Sequence, residues 1–165
     1  MKQPKIFTTE KIAQILEVSQ WRVVRFAEIK KFGITPALDE GKGSGRRRLY
    51  DLENVCEMAL ASWLLEAGLR IEVVGRALSR MRRQGGLSYL LEQPDAKVQD
   101  SYLGVIRAPR GKITGQEAVF LQSWEQLIKI FARDSDASVL IIPVGLRFLS
   151  LKRRLAEQRK EKTEA

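Results

Sequence analysis

The sequence predicts a mainly α chain with a small β content, an α+β fold in two parts: residues 1–84 and residues 87–165. Three observations carry this reading. Apolar residues recur at helical spacing along the first half. Glycines at alternate positions, Gly41, Gly43 and Gly45, mark one hairpin turn there. In the second half, Tyr102–Ile106 and Ser138–Pro143 are short aliphatic runs that read as strands. The 165 residues are 44% hydrophobic, enough to bury one compact core or two small ones.

Element by element, Thr8-Thr9 precede Glu10–Leu16, a short helix with a hydroxyl cap, an acidic first turn, and Ile12, Ile15 and Leu16 on one face. Glu17-Val18 makes a break. Ser19 then reads as the N-cap of a second helix, Gln20 to about Lys30, with Trp21, Val24 and Ile29 as the expected inward positions. Two short helices joined by a tight turn form a helix-turn-helix in outline, whose second helix lies in the DNA major groove. Arg22 and Arg25 share a face of that helix and are expected at the groove. Trp21 has two readings, packing in the core or lying on the DNA backbone.

A break at Gly33 and Pro36 leads to the glycine hairpin, whose return arm carries Arg46, Arg47 and Arg48. A basic hairpin beside a helix-turn-helix reads as a wing, and its arginines as phosphate contacts. Asp51 caps a third helix from Leu52 to Ala67, stopped by Gly68, and a fourth runs from Ile71 to Arg83. In the second part, Gln116–Arg133 matches a helical period between the two strands, an order that permits a small parallel unit. A last helix, Leu146–Lys160, follows a break at Gly145 and carries Phe148, Leu151 and Leu155 as an apolar stripe.

Charge is localised. The chain holds 29 Lys and Arg against 20 Asp and Glu, a net +9. Met1–Tyr50 has 11 basic and 5 acidic residues, +6, and Leu146–Ala165 has 7 and 3, +4, while the middle is near neutral. Concentrated positive charge favours a polyanionic partner. There is no histidine and one cysteine, Cys56, which excludes His-based catalysis, His-ligated metals and a disulfide framework. Cys56 reads as a buried thiol. Arg107–Lys112 lacks the glycine spacing of a phosphate-binding loop and reads as a basic surface loop. Asp134 and Asp136 read as turn residues. No constellation supports an enzyme, and no cofactor or metal is expected. The opening residues lack the apolar run of a signal peptide, and no stretch is long enough to span a bilayer, so a cytoplasmic protein is expected.

Phe7-Thr8 through Ile12-Ala13, Val18-Ser19, the aromatic second helix, Gly45-Arg46-Arg47-Arg48-Leu49-Tyr50-Asp51 and Leu65-Glu66-Ala67-Gly68-Leu69 together resemble the MerR-type winged helix-turn-helix, over about Ile6–Arg83. The Arg-Leu-Tyr-Asp wing exit and the Gly-Leu break are the specific parts. Where the family commonly has Arg-Tyr-Tyr-Glu, this chain has Val24-Arg25-Phe26-Ala27, with the arginine one place later. The resemblance implies a homodimer that binds double-stranded promoter DNA and reshapes it for RNA polymerase. It also implies that a helix beyond the winged domain joins the subunits, which assigns the Phe148–Leu151–Leu155 stripe to a partner. The cysteines of metal-sensing branches are absent here. The candidate DNA-binding residues are Thr8, Ser19, Gln20, Trp21, Arg22, Arg25, Arg46, Arg47, Arg48 and Tyr50. Two rival expectations are a DNA-bending, excisionase-like architectural protein and a protein-interaction adaptor with a basic surface.

Overall fold

A computed structural model describes residues 6–40, 47–107, 116–133 and 138–160. The glycine turn with Arg46, most of the Arg107–Lys112 tract, and the pair Asp134 and Asp136 lie outside the described residues. The chain is α+β and forms two compact units, Met1–Gly75 and Arg76–Ala165.

Unit one runs β1 (Phe7–Thr8), α1 (Thr9–Leu16), α2 (Gln20–Glu28), a 3-10 turn (Lys30–Phe32), β2 (Leu38–Glu40), β3 (Arg47–Tyr50), α3 (Leu52–Glu66) and the start of α4 (Ile71–Arg83). The three strands form an antiparallel sheet in the order β1-β3-β2. Local chemistry sets the boundaries. The Thr8 hydroxyl accepts from the Lys11 amide at 3.2 Å, which caps α1. Glu17 ends that helix in the left-handed region at φ 55°. Asp51 and Asn54 exchange side-chain to backbone bonds at 2.8 and 3.3 Å, a capping box that starts α3. Ile12, Ile15, Val23, Phe26, Phe32, Tyr50, Leu60 and Leu64 are buried, with the Phe26 and Phe32 rings 6.0 Å apart. Cys56 is buried in α3.

The inward face of α2 differs from the sequence expectation. Val23 and Phe26 are buried, Val24 and Ile29 are half-buried, and Trp21 is 72% exposed. Val23 and Phe26 stand three apart and meet the core together, which turns Trp21 outward.

Unit two holds the rest of α4, then α5 (Gly86–Glu92), α6 (Asp95–Val98), β4 (Tyr102–Arg107), β5 (Gln116–Leu121), α7 (Trp124–Arg133), β6 (Ser138–Ile142) and α8 (Val144–Lys160). Its sheet has the order β5-β4-β6, and both neighbours run antiparallel to β4. The expected parallel pairing is therefore wrong. Gln116–Leu121 is a strand, not the first turns of a helix, and inserting one strand reverses the direction in which β6 reaches β4. The parallel relation survives only between β5 and β6, which α7 connects across the central strand.

Alternation along β4 separates two faces. Leu103 and Val105 are buried, and Leu103 stands in register between Phe120 and Ile142. The Tyr89 ring of α5 meets Phe120 at 5.9 Å on this side. On the other face lies Tyr102, whose ring takes the Trp124 ring edge-on at 5.8 Å. Helix α8 packs on α5, α6 and β4. Phe148, Leu151 and Leu155 are buried in this single chain, so the stripe expected at a subunit contact is an intrachain core. Gly145 lies inside α8 and not at a break before it; a Cβ there would collide with the Val98 carbonyl, so the helix crosses α6 at close range. Among the described residues, no helix is long and apolar enough to cross a membrane.

Candidate nucleic-acid interface

Ser19 has extended backbone geometry, and its hydroxyl accepts from the Arg22 amide at 3.2 Å, capping α2 as expected. The cap fixes which side chains leave the first two turns toward solvent. Gln20, Trp21 and Arg25 do so, with Val24 half-buried between them. Lys30 and Lys31 extend the exposed basic surface past the end of the helix, and Lys31 pairs with Glu72 at 2.5 Å. The hydrogen bond from Lys31 holds the Glu72 carboxyl below its usual range.

Arg22 does not share that outlook. Its Nη2 lies 3.5 Å from Glu66 Oε1, and its guanidinium sits 5.6 Å from the Phe26 ring centroid. The same Glu66 oxygen accepts from the Ser62 hydroxyl at 2.9 Å. Arg22 thus ties α2 to the end of α3, and Arg22 and Arg25 do not form the joint groove pair that their spacing suggests.

The hairpin also divides its arginines. Arg48 is held with its side chain 9% exposed, Nη2 at 3.4 Å from Glu28 and Nε at 3.7 Å from Asp39. It clamps β2 and β3 to the end of α2 instead of facing a phosphate. Arg47 is exposed, opposite Glu40 in the strand register, just as Arg48 stands opposite Asp39. Two acidic residues on β2 therefore offset the two described arginines of β3. Arg46 lies outside the described residues.

Tyr50 cannot touch DNA in this fold. It is fully buried, opposite Phe7, because alternation along β3 turns it into the core. Burial pushes its phenol above the ordinary range, while nearby Arg48 and a Thr9 hydroxyl oppose that shift. The hydroxyls of Thr8 and Ser19 are engaged in caps.

The residues that engage Arg22 and Arg48 and were not among the expected site residues are acidic: Glu28, Asp39 and Glu66. The available signal was the pairing of Asp39-Glu40 against Arg47-Arg48 across a hairpin, since charges of opposite sign face each other in such ladders. Among the described residues, no group of three or more potential ligands is placed to hold a metal. No protein-family model matches the chain.

Proposed function

We propose that the chain is a sequence-specific regulator of transcription that binds double-stranded promoter DNA as a homodimer, with unit one acting as a winged helix-turn-helix of MerR-like kind. One observation carries the reading: Trp21, 72% exposed, stands with Gln20 and Arg25 on the solvent face of a short capped helix. A large apolar ring left in water beside a long cation and an amide is costly in isolation and well matched to a DNA groove. Arg25 can read guanine in bidentate fashion, Gln20 can pair with adenine, and the Trp21 ring can lie against a sugar or a thymine methyl. The +6 charge of Met1–Tyr50 adds the sequence-independent attraction to phosphate. In this arrangement Arg22 and Arg48 are positioning residues, fixing α2 against α3 and against the hairpin.

Selection of bound sequences from random duplexes tests the proposal. A palindromic motif is expected, because a twofold dimer presents two copies of α2 to two half-sites. Arg25→Ala should cost about 1–3 kcal/mol, concentrated at one base pair per half-site. Recovery of no motif, with equal binding to all duplexes, overturns sequence-specific reading. Transcription with purified RNA polymerase on the selected site then separates a regulator from an architectural, excisionase-like protein, which bends the site and leaves transcript levels unchanged.

A further inference from the structure

Helix α7 carries a second exposed aromatic. Trp124 and Ile128 lie one turn apart and are each 52% exposed. Beside them, Glu125 and Lys129 form a charged row, also one turn apart and both exposed. The Trp124 ring is not loose: it rests edge-on against Tyr102 of the central strand at 5.8 Å. The start of the helix is fixed by the Gln122 amide, which donates to the Gln126 side chain at 2.9 Å. A preorganised tryptophan beside an aliphatic residue, bordered by charge, has the composition of an interface anchor.

We infer that α7 is where two copies of this chain pair, antiparallel, about a twofold axis close to Gln126. The pattern is self-complementary in that arrangement alone. A twofold axis perpendicular to two antiparallel helices keeps each charged row on the same side of the contact and reverses its direction. Trp124 of one copy then meets Ile128 of the second copy, and Glu125 meets Lys129 of the second copy, twice over by symmetry. A parallel twofold pair would instead put the two charged rows on opposite sides of the contact, where neither row meets the other. The Ser123 hydroxyl bonds Glu125 and holds its carboxyl below the usual range. With the α8 stripe buried inside its own chain, α7 supplies the subunit contact that a palindromic site requires, and to that extent the inference extends the DNA-binding reading. One helix face is smaller than a standard stable interface, so the pairing is weak and reversible.

Sedimentation of the full chain without DNA tests the pairing separately from DNA recognition. At about 0.1 mM the wild-type chain should be mostly dimer. Glu125→Lys and Lys129→Glu should each weaken self-association about tenfold, because each sets like charges together twice. An equimolar mixture of the two variants should dimerise as well as wild type, since every charged contact between unlike copies is again of opposite sign. The double variant E125K/K129E should regain the wild-type constant. Circular dichroism matching wild type shows that both single variants are folded, as expected for substitutions at exposed positions. A wild-type chain that stays monomeric at that concentration overturns the inference and leaves the α7 face to a different protein. A dimer indifferent to both substitutions, or a mixture no tighter than either variant alone, overturns it too and places the subunit contact elsewhere.

Discussion

At the scale of single residues, the three hairpin arginines are one run in the sequence, yet the fold gives its two described members different work. Arg48 is closed in by Glu28 and Asp39, whereas Arg47 is exposed on the same strand. Arg48→Ala leaves Glu28 and Asp39 without their shared cation, and should lower stability by about 1–3 kcal/mol in denaturant melts. Arg47→Ala should leave stability within about 0.5 kcal/mol of wild type. If Arg47 meets a phosphate, its loss should flatten the slope of log K against log salt by about 0.9. An Arg48 variant of undiminished stability would remove the clamp from the account. Tyr50 makes a pH prediction. Its folded pKa is raised by burial, so the folded state resists ionisation. The associated stability is complete below the unfolded phenol value of about 10 and is lost as pH rises above it. Tyr50→Phe should therefore reduce the alkaline loss of stability, read from unfolding midpoints between about pH 9 and 11.

At the scale of elements, what was legible in the sequence followed strong local signals. Caps at Thr8, Ser19 and Asp51 and the Gly68 stop placed α1, α2 and α3 within a residue or two of their observed limits, and α4 runs from Ile71 to Arg83 as its period indicated. Short elements were not legible. Helices α5 and α6 are seven and four residues long, too brief for a period to show. In β5, Val119 and Phe120 happen to continue the helical spacing of α7, so a strand was absorbed into its neighbour and the sheet direction came out reversed. The candidate site suffered from a similar ambiguity, since Trp21, Val24 and Val23, Phe26 are adjacent stripes on α2 and only packing decides between them. Gly145 shows the limit of reading glycine as punctuation. It reads as a break before the last helix, but is the second residue of α8, and it is glycine there because the Val98 carbonyl leaves no room for a Cβ. Gly145→Ala should lower the stability of unit two by about 1–3 kcal/mol, the range of overpacked sites, although alanine is the better helix former. A neutral or stabilising outcome in denaturant melts would mean that α8 does not approach α6 this closely.

At the scale of the whole molecule, the basic ends of the chain have different settings. The first fifty residues, the stretch that includes α1, α2, β2 and β3, carry +6 in sequence, and the last twenty, which include most of α8, carry +4. The helical part of that second region is amphipathic, and its apolar stripe is already used. Phe148 has no exposed surface, Leu151 is 3% exposed and Leu155 is 8% exposed, all within one chain. The Lys152 ammonium reaches the Gln93 carbonyl at 3.1 Å and Asp95 at 3.2 Å, which anchors the same helix from its flank. These two observations turn a question of assembly into one of folding. Had the stripe served a partner subunit, truncating Phe148 would change the oligomeric state and leave the monomer intact. With the stripe in the core of unit two, Phe148→Ala should instead cost about 3–5 kcal/mol, the transfer term plus the cavity left behind. The folded variant should sediment with the same self-association constant as wild type. Paired measurement of the two quantities on one variant decides the role of α8: a large loss of stability with unchanged association fits the intrachain core, and unchanged stability with lost association returns the helix to the subunit contact.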